Sequence, residues 1–313
     1  MGNNLKIYQN LFVTGALQSS GSTATTVNSI SIGSGNTASG LYSQAFGFGT
    51  VASGLYSHSE GTNTKATGST SHAEGSYTTA GGYISHAEGQ TTQALGTASH
   101  SEGTSTTASA TGSHAEGNLS RASGLASHSE GFNTTTSGTS AHVEGYQSTA
   151  GGLGSHGEGY QSKALGAGSH SEGGNGSSIN GGTASGAASH AEGQITQALG
   201  IASHAEGSST TALGIASHAE GEGTVASGNY SHAGGTGSTA SGNFSFVHGS
   251  GSTASGISTI VLGSNITGIT DNTVYTPDIE IVDFTKGVIL RSPDNTRWKI
   301  TVDNSGALIT TSL

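Results

Sequence analysis

Cysteine is missing from this 313-residue chain, which excludes disulfides and thiolate metal sites. Aromatic residues make up 5% of it and charged residues 9%, poor material for a globular core whose large side chains must offset chain entropy. Only eight residues are Lys or Arg, which argues against a nucleic-acid-binding face. No stretch approaches the roughly 18 consecutive apolar residues of a transmembrane helix, so no membrane insertion is expected. Met1–Gly2–Asn3–Asn4 carries no basic region and no long apolar run follows, so no secretory leader is expected. Lys6 stands where a myristoylation signal has Ser or Thr.

What the chain has is glycine, 54 residues of it, and strict periodicity. Low hydrophobicity alone would read as disorder, but a fixed period points to a repeat fold that grows in one dimension. The unit is S-H-A-E-G-x-x-T-x-A-x-G-x-x. Its His and Glu slots hold His58 and Glu60, His72 and Glu74, His86 and Glu88, His100 and Glu102, His114 and Glu116, and His128 and Glu130. They continue with His142 and Glu144, His156 and Glu158, His170 and Glu172, His190 and Glu192, His204 and Glu206, His218 and Glu220, and lastly His232. Every step is 14 residues except the 20 from His170 to His190. The excess lies within Gly174–Gly182, a protruding loop by composition. With S-I-S-I-G and S-Q-A-F-G before the series and S-F-V-H-G and T-I-V-L-G after it, 17 units occupy residues 29–268.

Gly, Ser and Thr are poor helix formers, so each unit reads as two short strands, S-H-A-E and x-T-x-A, joined by Gly turns. Alternation then puts Ser57 and Ser59 on one face and His58 and Glu60 on the other, with Thr64 and Ala66 facing inward from the second strand. The inward slots are consistently small, from Thr64 and Ala66 through Thr106 and Ala108 to Ser162, as a narrow roll requires. Such a roll buries little apolar area, at roughly 25 cal/mol per Å². The His/Glu stripe becomes apolar at both ends, through Ile30, Ile32 and Phe46 and through Phe246, Ile260 and Leu262. Large apolar residues on an outward face imply burial against another chain, so the stripe is expected to be the axis of an oligomer.

S-H-A-E holds the residue types of a hydrolytic triad, but Ser57 and His58 face opposite ways and the unit recurs a dozen times, so no enzyme is expected. No glycine stretch matches a phosphate loop. No cofactor is required. Two readings of the His/Glu axis stay open: a hydrogen-bonded ladder that fixes register, and metal ions held by His-x-Glu along the axis. If the ladder holds, stability is expected to fall below about pH 4, where carboxylates titrate.

Composition shifts near residue 264, and residues 269–313 read as a small antiparallel β cap or knob. Apolar alternation marks strands in Ile279–Phe284, Val288–Leu290, Trp298–Val302 and Leu308–Thr310, with turns at 293–295 and 303–306. Trp298 between Arg297 and Lys299 is a candidate receptor contact, against packing of Trp298 in an oligomer core.

S-I-S-I-G, T-I-V-L-G and A-S-G at 14-residue spacing resemble the YadA-type head of trimeric autotransporter adhesins, and the resemblance covers residues 29–268. It implies a homotrimeric, left-handed parallel β-roll. S-H-A-E-G replaces the family's apolar S-V-A-I-G in most coils, and no stalk or membrane anchor barrel is recognised. The segment L-K-I-Y-Q-N-L-F-V-T-G-A-L is similar to short β segments of phage fibre proteins, and residues 287–308 resemble terminal modules of phage tail fibres. These resemblances imply that residues 1–28 form an N-terminal β segment for docking to other virion proteins or for trimerisation. They imply a virion fibre that meets a host cell-surface receptor or glycan. The alternative is a bacterial surface adhesin of the YadA type.

Overall fold

The computed structural model describes residues 17–19, 21–174, 180–279, 287–303 and 305–313. Of the expected segments, residues 1–16 of the N-terminal piece, 175–179 of the loop and 280–286 of the strand begun at Ile279 lie outside the described residues. The described chain is all-β, with no helix, and divides into a unit ending at Val274 and a smaller unit, Tyr275–Leu313.

The first unit is a parallel β-solenoid with two ladders. One ladder starts at each His slot, so that His86–Ala87 pairs with His100–Ser101 in register. The other takes the residue before each Ala slot, pairing Gln93–Ala94 with Thr107–Ala108. Equal coil lengths put like residues beside like, and each coil donates backbone N–H groups to the next: His86 N to Ser99 O at 3.0 Å, Gln93 N to Thr106 O at 2.9 Å. Pro277 and Pro293, the only prolines, fall outside both ladders, where a missing N–H breaks no rung. The six extra residues leave the register intact, since His170 pairs with His190 and Lys163 with Thr183.

There are about 18 coils, one more than the repeat pattern shows. The added coil is formed by Leu17–Gln18 and Thr23–Ala24. Its first strand lacks the S-x-x-x-G signature and meets Ile30–Ser31 after 13 residues instead of 14. At about 4.8 Å per coil the first unit rises on the order of 80 Å.

The interior is lined as the alternation requires. Ser59, Thr64 and Ala66 are fully buried, and the largest apolar side chains inside are Val143, Val247 and Val261. The serine that opens most units has a specific job: its hydroxyl donates to the carbonyl three residues back, as in Ser57 to Gly54 at 2.8 Å and Ser127 to Gly124 at 2.7 Å. Val143 fills the space beside Gly157 in the next coil, where a Cβ would sit 3.1 Å from Thr149 O and in ordinary contact, 3.6 Å, with Val143 Cγ2. Val143→Ala is therefore expected to cost about 1–2 kcal/mol through the cavity it opens. Adding Gly157→Ala to that variant should recover part of the loss. Equal denaturation midpoints for wild type and Val143→Ala would refute this packing account.

Glycine is not the only corner residue. Besides the glycine that follows each Glu slot, most coils turn at two further left-handed positions, and many of these carry a side chain, such as Leu119 at φ 59° and Ala126 at φ 52°. Such dihedrals cost roughly 1 kcal/mol each outside glycine. Coil-to-coil hydrogen bonds at the same residues offset this, from Leu119 N to Thr104 O and Ala126 N to Thr111 O, both 2.9 Å.

The second unit holds an antiparallel sheet of Val288–Arg291, Arg297–Val302 and Leu308–Ser312. None of its described residues is buried, and Leu290, Val302 and Leu308 are all more than half exposed. A three-stranded sheet needs an apolar face covered to be stable.

Candidate functional site: the histidine–glutamate column

Parallel register turns one slot of the repeat into a column. The imidazoles of His58 through His218 stack face to face, with ring centroids 4.6–4.9 Å apart, which is the strand spacing itself. The glutamates form a parallel column beside them. Glu116 reaches two rings, with Oε2 3.7 Å from His114 Nε2 and Oε1 3.7 Å from His128 Nε2. Glu60 bridges His58 and His72 in the same way, at 3.7 and 3.9 Å. His86 and His190 each lie between two carboxylates, at 3.5 and 3.8 Å. These separations are too long for hydrogen bonds. The Nε2 atoms from His58 to His218 are buried and have no hydrogen-bond partner, although each ring is about one-third exposed.

The ladder expected from the sequence runs between chains, from histidine to glutamate. Within one chain the neighbours of each ring are its own copies above and below. This sets its electrostatics. Burial, followed by the charges of adjacent histidines, holds His72, His114 and His142 below the ordinary imidazole pKa, and the glutamates only partly oppose it. His218 is lowered by burial and then by His232. Hydrogen bonds with Glu130 and Glu158, then burial, raise the Glu144 carboxyl. Burial pushes Glu220 up, but the hydrogen bond from His232 and nearby imidazole charge outweigh it and leave it lowered.

The column changes at its end. Gly234 replaces glutamate there, and the space is taken by His248. His232 tilts 68° from His218 and approaches Glu220 Oε1 at 3.3 Å. Beyond it, Phe246 contacts the His232 ring at 4.8 Å; at the other end Phe46 meets His58 edge-on at 5.5 Å. Ile32, Ile260 and Leu262 are exposed, while Ile30, Phe46 and Phe246 are half-buried. Along the glutamates runs an open groove of about 740 Å³, lined by Glu102 through Glu192 and the glycines that follow them.

Trp298 lies elsewhere, on the antiparallel sheet. It is 39% exposed, and its Nε1 donates to Ser292 Oγ at 3.3 Å. Arg297 and Lys299 alternate with it and so occupy the other sheet face. Ser57, the would-be nucleophile, is buried with its hydroxyl committed to Gly54, on the opposite face from His58.

Sequence reasoning missed one feature: a second stack formed by Phe132, Tyr146 and Tyr160, with centroids 4.9 Å apart. Its signal was available, since the three aromatics recur at the 14-residue interval.

No protein-family model matches the chain, and no curated protein matches it.

Proposed function

We propose that the chain is the subunit of a homotrimeric virion fibre, a β-roll shaft whose work is spacing and host attachment. The observation that carries this reading is apolar surface with no partner inside one chain. It occurs at both ends of the His/Glu face and over the whole antiparallel sheet, where no described residue is buried. Lone chains rarely expose such surface, whereas subunits do. The resemblance of the coils to trimeric β-roll heads supports a threefold assembly with the His/Glu stripe at its axis. In that arrangement the ring column would lie against its two counterparts, and the end residues Ile32, Ile260 and Leu262 would meet as apolar plugs. On the small sheet, Trp298, Arg297 and Lys299 are the candidate receptor contacts. The ends' similarity to phage fibre modules favours a virion. The YadA-like coil pattern is the ground for the second reading, a surface adhesin head.

Native mass spectrometry is expected to return three times the 30.6 kDa subunit mass. A folded monomer at micromolar concentration would overturn the axial placement of His58 and Glu60. An antibody raised against the roll is expected to decorate phage particles rather than bacterial envelopes. Envelope labelling alone would favour the adhesin.

A further inference from the structure

We propose that the His–Glu column is a linear array of transition-metal sites, each made by two successive imidazoles and the carboxylate between them. His114, Glu116 and His128 show the design. The carboxylate presents one oxygen to each ring, 3.7 Å from both Nε2 atoms. Hydrogen bonds are shorter than that. Two ligands of one tetrahedral ion, each about 2.1 Å from the metal, stand roughly 3.4 Å apart, close to the observed separation. Buried ring nitrogens without a partner are a debt that the protein atoms leave open, and an ion between nitrogen and carboxylate settles it.

The donor set selects the ion. Imidazole with carboxylate suits zinc, cobalt, nickel and copper, whereas magnesium and calcium take oxygen ligands. Among the described residues nine groups meet the geometric requirement, including His58–Glu60–His72 and His156–Glu158–His170, and in each the ligand atoms lie within 4.8 Å of one another. A tetrahedral ion would draw the two nitrogens to about 3.4 Å apart through ring rotation. Three protein ligands leave a position open to water, as in sites that are not purely structural.

Stoichiometry follows from sharing. Successive groups such as His114–Glu116–His128 and His128–Glu130–His142 use the same histidine. Each Nε2 has one lone pair, so both cannot be filled. Divalent ions on adjacent coils would also stand about 4.8 Å apart, and doubling that distance halves their repulsion. Occupancy therefore alternates. Thirteen column histidines taken in pairs give about six ions per chain. Because ligation needs neutral imidazole, binding weakens as pH falls through the imidazole range.

The test uses chelator-treated full-length protein dialysed against micromolar Co²⁺ or Zn²⁺ at pH 7.5. Metal analysis should find about six ions retained per chain, and bound Co²⁺ should show the visible bands of a nitrogen–oxygen site. Glu116→Gln combined with Glu130→Gln strands His128 and should lower the count by about one while leaving circular dichroism unchanged. Glu222→Gln, at an exposed glutamate outside the column, should leave it at the wild-type value. Fewer than one retained ion per chain overturns the proposal, as does equal loss in both variants. A count near 12 overturns the alternation. All ligands come from one chain, so a monomer that binds the full array would defeat the trimer reading and leave this inference standing.

Discussion

Gly117→Ala is expected to lower stability by about 3 kcal/mol or more, at or beyond the upper end of ordinary overpacking, because the clash is with backbone. A Cβ at Gly117 would land on the carbonyl oxygen of Gly131 in the next coil. Its φ of +94° adds strain for any residue with a Cβ. The same approach recurs at Gly103 and Gly131, where the next coil again supplies a carbonyl. Relief would require neighbouring coils to separate, and that would break the ladder hydrogen bonds holding them. Gly112 is the matched control. Nothing lies closer than 3.8 Å to a Cβ there, and alanine already fills the slot at Ala98 and Ala126 with φ near its own +64°. Gly112→Ala should cost about 1 kcal/mol at most. Urea unfolding of the two variants checks this, and comparable midpoints would show that neighbouring coils separate without such a penalty.

Acid is expected to weaken the metal-free protein from about pH 6.5 downward, well above the pH 4 onset expected from carboxylates alone. His72, His114, His142 and His218 are all lowered in the folded chain, chiefly by burial. Below the unfolded value of about 6.5 the unfolded state then binds more protons than the folded one, so stability rises with pH in that window and falls on acidification. Lowered Glu220 adds a loss of the same sign below the ordinary glutamate range, about 4.5. Raised Glu144 acts oppositely: its contribution is present below that range and is lost as pH rises through its folded value. The four histidines act together in the higher window. With chelator present, the melting temperature should drop by on the order of 5 °C between pH 7.5 and 5.5. His114→Gln with His142→Gln should flatten part of that slope. A melting temperature that stays level down to pH 5 would show that imidazole burial does not govern acid sensitivity.

The two predictions draw differently on the sequence. The close approach at Gly117 is already implied by a glycine that closes the His/Glu strand in every one of the 17 units. The pH window was not legible, because glutamate raises a histidine's pKa while burial lowers it, and only the depth of the ring decides between them. His142 illustrates this: desolvation outweighs both Glu144 and Glu130. The corners at Leu119 and Ala126 were hidden for a related reason. Local preference disfavours positive φ at such residues, and it is overridden by hydrogen bonds to the preceding coil, 15 residues earlier.

By itself the sequence determined the coil length, the two-strand unit and the inward set Ser59, Thr64 and Ala66, because strand alternation and a constant interval leave no other arrangement for a narrow roll. It also marked His58 through His232 as one outward stripe. Tertiary structure alone decided that these rings stack on their own copies, that glutamates such as Glu60 and Glu116 serve two coils, and that an unsigned stretch, Leu17–Ala24, adds a coil at the start. Those outcomes depend on contacts between residues a full turn apart, whose distances follow from the 4.8 Å rise of a closed coil rather than from any neighbour along the chain.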